Sequence, residues 1–95
     1  MLEREIERKL TKWAKENKVL SYKFSSPARR GVPDRIFISG GVTLFLELKV
    51  VGKRPTKLQL RELDRINAAG AVADWAAGYD QAVEKIEQHL KLWRH

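Results

Sequence analysis

The sequence predicts a single α/β domain whose elements run in the order α-β-β-β-α-β-α. Two observations support this class. Apolar residues recur at helical spacing in three segments, and four shorter segments have the composition or the alternation typical of strands. Turn residues separate these segments, and no internal repeat or interdomain linker interrupts residues 1–95. A chain of this length buries only a modest core, so dimerisation would help it to bury surface.

The first helix and the first strand are predicted from two different periodicities. Apolar residues at helical spacing predict a helix over about residues 2–17. From Val19 to Phe24 apolar and polar residues alternate, which is typical of a strand with one apolar face. A loop of small residues, Arg and Pro follows over residues 25–33. The apolar residues of the helix are Leu2, Ile6, Leu10 and Trp13.

A β-hairpin is predicted next. Strands over Arg35–Ser39 and Thr43–Val50 flank Gly40-Gly41, a dipeptide that favours a two-residue hairpin turn. Apolar residues occupy both faces of the second strand. That strand is therefore predicted to be central in its sheet and covered on both sides.

The second half of the chain completes the order of elements. Residues 51–55 form a basic loop, and a helix over residues 56–70 ends at a glycine. Residues 71–76 are small and predict a short strand, and the last helix is predicted over residues 78–93.

The charge balance favours a polyanionic partner. Nineteen Lys and Arg residues against twelve Asp and Glu residues give a net charge of +7 and a pI near 10.0. Nucleic acid is the commonest partner of so basic a chain, although the charge could serve solubility alone. The absence of cysteine excludes disulfides, zinc–thiolate sites and cysteine nucleophiles.

A membrane role is not expected. No apolar stretch approaches the roughly 20 residues that span a bilayer. The N-terminus is charged from its third residue, unlike a signal peptide. We therefore expect an intracellular protein, located in the cytoplasm or nucleoid of a bacterial or viral-host cell.

Three charged residues of the hairpin form the main candidate site. Asp34 precedes the first hairpin strand, and Glu47 and Lys49 lie one residue apart in the second. Since side chains alternate along a strand, Glu47 and Lys49 point to the same face. Two acids and a lysine on an apolar sheet predict a site for a divalent metal and a phosphate. The alternatives are a turn carboxylate at Asp34 and a structural ion pair of Glu47 with Lys49 or with an arginine.

Glu3 and Gln59 are further candidates on the helices. Glu3 falls on the border of the apolar face of the first helix, from which its carboxylate could lean over the sheet. Gln59 lies three residues after Thr56, the spacing of a capping box. It could also contact the acid of the site, or a phosphate near the helix N-terminus. A solvated Glu3 and a purely capping Gln59 are the alternatives.

Basic residues flank the candidate site in sequence. Lysines and arginines that contact the backbone supply most of the affinity in sequence-independent nucleic-acid binding. Some of them are expected to be ordinary surface charges. The candidates for DNA contacts are Lys23, Arg29, Arg30, Lys53, Arg54 and Lys57.

These motifs together resemble a known nuclease family. Pro33-Asp34, followed after twelve residues by Glu47-Leu48-Lys49, resembles the PD-(D/E)XK nuclease pattern. With their surroundings, they resemble the viral-type replication-repair nuclease domain, VRR-NUC, in a stand-alone form over residues 1–95. The resemblance extends to about Val72. The surrounding segments are Gly31–Asp34, the Gly-Gly hairpin, Phe45–Lys49, Thr56–Gln59 and the leading Glu3 with Ile6.

The resemblance implies a fold, a reaction and a set of ligands. The fold would be a restriction-endonuclease-like core, a mixed β-sheet flanked by helices. Mg²⁺ or Mn²⁺ would be bound by Asp34, Glu47 and the backbone carbonyl of Leu48, with Glu3 contributing directly or through a water. Lys49 would position the phosphate and the attacking water, and Gln59 would belong to the catalytic set. Cleavage would leave a 5′-phosphate and a 3′-hydroxyl, as in the wider superfamily.

The expected substrate is branched or structured DNA. Archaeal Holliday junction resolvases have the same general core and act as dimers, and their start is similar to Glu3-Arg4-Glu5. We therefore expect a homodimeric endonuclease that cuts junctions or flaps, with a role in DNA repair. A non-catalytic, structure-selective DNA-binding module and a sequence-specific restriction or homing-type endonuclease are the alternatives. A structural protein with a buried ion pair is a third.

Overall fold

The predicted order of elements is confirmed. The computed structural model describes residues 1–92, so the predicted end of the last helix at Trp93 lies outside the described residues. Every predicted element is found within three residues of its predicted bounds in this range. The elements are α1 Glu3–Glu16, β1 Leu20–Lys23, β2 Arg35–Ser39, β3 Val42–Lys49, α2 Lys57–Ala68, β4 Val72–Ala77 and α3 Tyr79–Leu90.

The four strands form one mixed sheet in the order β1-β2-β3-β4. β1 pairs antiparallel with β2, β2 pairs antiparallel with β3, and β3 pairs parallel with β4. A parallel pair needs a crossover connection, which α2 supplies. β3 is thus an inner strand, as its apolar composition predicts, and the expected mixed sheet flanked by helices is confirmed.

A two-residue turn sets the register of the β2–β3 hairpin. Ser39 pairs with Val42, so only Gly40 and Gly41 lie between the two strands. Their φ angles are 58° and 81°, a combination that favours glycine because side chains with a Cβ are strained there. This register places Arg35 opposite Leu46, so that the last three residues of β3 extend beyond the start of β2.

The main core lies between one face of the sheet and the helices α1 and α3. Leu44, Leu46 and Leu48 alternate along β3 and point to this face. Ile6 and Leu10 of α1 and Ile86 of α3 pack in the same buried cluster. The intervening β3 residues, including Glu47 and Lys49, therefore point to the opposite face.

The opposite face of the sheet is only partly covered. α2 packs against β4, and its Leu63 is buried there. The far side of this face, on β1, stays open, with Leu20 48% and Tyr22 55% exposed. Phe24 and Phe45 meet edge to face between the two regions, with ring centroids 5.3 Å apart. In the described chain, no helix is long and apolar enough to cross a bilayer.

A polar network joins β4 to α3 on the core side. The Asp74 carboxylate accepts hydrogen bonds from Lys85 Nζ at 3.0 Å and from the Trp75 N–H at 2.8 Å, and it lies 2.9 Å from His89 Nε2. Burial raises the pKa of Asp74. The bonds from His89, Lys85 and Trp75 outweigh this effect, so the net pKa lies below its ordinary value.

Replacing Asp74 with Asn is expected to lower the free energy of unfolding at neutral pH by about 1 kcal/mol, because partly exposed ionic contacts are worth no more than that. Asp74 has a lowered pKa in the folded protein. Its contribution is therefore complete above the ordinary pKa of 3.8 and is lost as the pH falls through the folded value. Urea unfolding of both proteins across the acid range measures the difference, which should shrink below that pH. The exposed Asp64→Asn is the control, and a difference that does not change with pH would contradict the assignment.

Candidate active site

Asp34 is held at the point where β3 extends beyond β2. Its Oδ2 accepts a hydrogen bond from the Leu48 N–H at 2.8 Å. The Asp34 carbonyl accepts from the Phe24 N–H at 2.9 Å, which closes the loop between β1 and β2 at its base. The Asp34 carboxylate therefore occupies the place where β2 would otherwise continue its hydrogen bonds to β3.

The backbone of Leu48 faces the same side. In a paired strand the N–H and C=O of one residue point to the same neighbour. Because the Leu48 N–H is bonded to Asp34, the Leu48 carbonyl also lies on the side of Asp34. Its oxygen is thus available next to the carboxylate, as the predicted ligand set requires.

Glu47 is a buried carboxylate with incomplete partners. The residue is 2% exposed. Its Oε2 accepts a hydrogen bond from Gln59 Nε2 at 3.1 Å and lies 3.5 Å from Lys49 Nζ. Its Oε1 is the one buried side-chain polar atom among residues 1–92 that has no hydrogen-bond partner. Leaving such an atom unsatisfied is costly, because burial removes its water.

The pKa of Glu47 reports how unfavourable this position is for a negative charge. Burial, and to a lesser degree the negative charge of Asp34, raise the pKa of Glu47 to about 8. The Lys49 ammonium opposes the rise only in part. A buried carboxyl group whose pKa is raised in this way is well suited to a cation, which favours its charged form.

The donor set fits a hard divalent cation. Asp34 and Glu47 offer carboxylate oxygens and Leu48 a carbonyl oxygen, the ligand types that Mg²⁺ and Mn²⁺ prefer. The unsatisfied Glu47 Oε1 is the specific observation in favour of this fit. Water would have to complete the coordination, because Mg²⁺ commonly keeps several waters.

Gln59 performs both of the roles that its sequence position suggests. Thr56 is the N-cap of α2: its Oγ1 accepts from the Gln59 N–H at 3.2 Å, and Gln59 Oε1 accepts from the Thr56 N–H at 2.9 Å. The Gln59 Nε2 donates to Glu47 at the same time. One amide therefore satisfies the helix terminus with its oxygen and the buried carboxylate with its nitrogen.

Glu3 is not brought into direct contact with the other acids. It lies exposed in the first turn of α1. Within the described residues, no three His, Cys, Asp or Glu side chains lie close enough together to form a metal site unaided. One turn further along α1, Glu7 bonds to Arg35 at 3.2 Å. A contribution of Glu3 through a water stays a prediction.

The six predicted DNA-binding residues are all exposed. Lys53 and Arg54 lie in the loop that follows Lys49, and Lys57 is the first residue of α2. Lys23 and Ser21 lie on the same face of β1. Ser21 accepts a hydrogen bond from Arg35 on the face of the sheet that α1 covers, so Lys23 points away from the face of Glu47. Arg29 and Arg30 belong to the loop between β1 and β2. Their contacts with DNA stay predictions.

Sequence reasoning missed the partner of Arg29. The Arg29 Nε donates to Oε1 of Glu62 at 2.5 Å, and Glu62 is 5% exposed in the middle of α2. Helical spacing could have indicated that Glu62 lies on the same side of α2 as Gln59, because it follows Gln59 by three residues and precedes the buried Leu63. Nothing in the sequence indicated that the loop between β1 and β2 would supply the arginine that pairs with Glu62.

Comparisons with known proteins identify chains of similar sequence and fold. The chain is 44% identical over 66 residues to "Putative nuclease p44" of Acyrthosiphon pisum secondary endosymbiont phage 1, a match covering 68% of this chain and 71% of the relative. A solved structure named VRR_NUC domain superposes with a TM-score of 0.78 and 28% identity, over 92% of this chain and 95% of the other. Another, named VRR_NUC domain protein, shares the fold with a TM-score of 0.81 at 24% identity, over 97% and 90%. No family model matches the chain.

The double role of Gln59 can be tested with a pair of variants. Gln59→Ala and Thr56→Ala each remove part of the cap of α2, and each is expected to lower the free energy of unfolding by about 1 kcal/mol. Only Gln59→Ala removes a donor to Glu47, so only this variant should raise the pKa of Glu47 above about 8. Carboxyl-resolved NMR titration of the metal-free protein measures that pKa. An equal pKa in both variants would contradict the contact.

Proposed function

The chain belongs to the VRR-NUC family of nucleases, and from this premise we propose that it is a Mg²⁺- or Mn²⁺-dependent endonuclease that hydrolyses phosphodiester bonds in structured or branched DNA. The observation that carries the proposal is the buried Glu47 beside Asp34 and Lys49, with one carboxylate oxygen unsatisfied. A purely structural Glu47–Lys49 ion pair would not explain why Asp34 lies close enough to raise the pKa of Glu47.

The residues divide the reaction between them. Asp34, Glu47 and the Leu48 carbonyl would hold the metal, with Glu3 acting through a water. The ion, when bound, supplies Lewis acidity that favours loss of a proton from water and offsets charge on the phosphate. Lys49 binds the phosphate and orients the attacking water, because its ammonium group is a compact positive charge beside Glu47. Gln59 keeps the Glu47 carboxylate in its orientation through the Nε2 bond.

The substrate class rests on charge and size. The exposed Lys53, Arg54 and Lys57 follow Lys49 in the chain and would contact the DNA backbone without reading its sequence. The principal extents of the described domain are 35 × 32 × 22 Å, so one copy covers only a short duplex segment. Recognition of a branch by its shape suits such a surface better than recognition of a long sequence. Action on DNA also implies an intracellular location.

A homodimer would place two such sites on two strands. The open part of the sheet face supports this arrangement, because Leu20 and Tyr22 expose apolar surface that no helix of residues 1–92 covers. A second copy related by twofold symmetry would bury the same patch on both subunits. Two strands of a junction could then be cut by one particle.

Cleavage tests the catalytic assignment directly. Asp34→Asn and Lys49→Ala are expected to lower single-turnover cleavage of a four-way junction by at least about 100-fold, because each removes a group that stabilises the transition state. Affinity for DNA without metal should stay within a few-fold of the wild type. The exposed Asp64→Asn serves as the matched control and should cut normally. Wild-type cleavage by Asp34→Asn would refute the site, and wild-type cleavage in EDTA would refute the metal.

Substrate choice and assembly are tested together. We expect the protein to sediment as a dimer and to cut four-way junctions or flaps faster than linear duplex. Tyr22→Glu introduces a charge into the open sheet face and should shift the protein to monomers, because burying an unpaired charge at an interface is costly. Tyr22→Phe keeps the ring and should remain dimeric. A monomeric wild type that cuts linear duplex as readily as junctions would overturn this part of the proposal.

A further inference from the structure

Glu62 is a buried acid that the proposed reaction does not use. It lies on α2 at 5% exposure, and its Oε1 contacts two arginines, Arg29 at 2.5 Å and Arg65 at 3.6 Å. A buried carboxylate needs such partners, since desolvation without them is strongly unfavourable. Two guanidinium groups on one carboxylate leave a net positive charge at this place.

Arg29 contributes only one edge of its guanidinium group to this contact. The bond to Glu62 uses Nε, and within residues 1–92 the two Nη atoms make no hydrogen bond to protein. The Arg29 side chain is 47% exposed. A guanidinium bonded through Nε still offers its two Nη groups to solvent, and such a fork matches a phosphate.

The loop that carries Arg29 is attached next to the catalytic groups. Gly31 lies against the first turn of α2, where a Cβ would come within 3.0 Å of Leu58 Cγ and 3.2 Å of the Leu58 carbonyl oxygen. Asp34 closes the base of the same loop. Glu62 lies three residues after Gln59, and side chains so spaced are neighbours on a helix, with about 5–6 Å between their Cβ atoms.

We propose that Glu62 is a positioning residue that orients Arg29 to bind a DNA backbone phosphate beside the one that is cut. This inference rests on the proposed function, because it takes DNA as the ligand. Arg29 touches the phosphate, and Glu62 acts only through Arg29. Arg65 shares the carboxylate from the exposed side of α2, at a longer distance and with 60% of its side chain exposed, and it makes no contact with the phosphate.

The experiment measures binding of the full chain to a labelled four-way junction in EDTA over a series of salt concentrations. Arg29→Ala removes the proposed contact, and Glu62→Met removes the acceptor while keeping a side chain of similar length in the helix. The double variant tests whether the two act as a unit. Glu62→Gln retains an acceptor oxygen, and Arg65→Ala is the matched control. Urea unfolding of each variant, at every salt concentration used, checks that it is folded.

Arg29→Ala is expected to weaken binding about tenfold, which is the usual effect of one hydrogen bond to a charged group. It should also reduce the steepness of log affinity against log salt by about 0.9, the value for one phosphate contact. Glu62→Met should reproduce both effects. The double variant should bind no more weakly than either, Glu62→Gln should recover part of the loss, and Arg65→Ala should match the wild type.

The outcomes that overturn the inference are distinct from those that overturn the nuclease assignment. A wild-type salt dependence in folded Glu62→Met or in Arg29→Ala refutes it, and so does a double variant whose losses add. A purely structural Glu62 would lower the unfolding midpoint and leave the salt dependence of the folded protein unchanged. Cleavage by the wild type with Mg²⁺ or Mn²⁺ is assayed in parallel. Its absence refutes the nuclease proposal, whereas cleavage with unaltered binding by Glu62→Met refutes only the role of Glu62.

Discussion

The architecture of the site depends on keeping one carboxylate, that of Glu47, inside a sheet. Burial and the charge of Asp34 both disfavour its ionised form, and only Lys49 and Gln59 favour it. The protein tolerates this arrangement because the rest of β3 is well packed: the alternate residues Leu46 and Leu48 fill the core between the sheet and the helices α1 and α3. The unfavourable free energy of the ionised Glu47 carboxylate is confined to this place, where a bound cation would offset it.

The first two turns of α2 organise the elements around that carboxylate. Leu58 contacts the loop between β1 and β2, Gln59 holds Glu47, and Glu62 holds Arg29. α2 is also the crossover between the parallel strands β3 and β4, so only a short loop connects the end of β3 to the start of α2. A helix that the topology requires in any case thus aligns parts of the site that are distant in sequence.

Much of this arrangement follows from local sequence rules. The alternation of β3, the Gly-Gly turn and the capping box at Thr56 predicted the hairpin, the shared face of Glu47 and Lys49, and the capping role of Gln59. The pairing of Arg29 with Glu62 could not be predicted in this way, since it joins a loop to a helix 33 residues away. The place of Glu3 depends on how α1 lies across the sheet, and periodicity defines only which face of a helix is buried.

The glycine turn between β2 and β3 lies at the end of the hairpin opposite to Asp34 and Lys49. β2 has five residues, so at about 3.4 Å per residue the turn lies roughly 17 Å from the carboxylates. Both glycines face open space, with no atom within 4 Å of a Cβ added at either. An inserted module at this position would lie far from the candidate site and leave its residues undisturbed. The domain can therefore accept an inserted module there, a freedom that the loop carrying Arg29 does not offer.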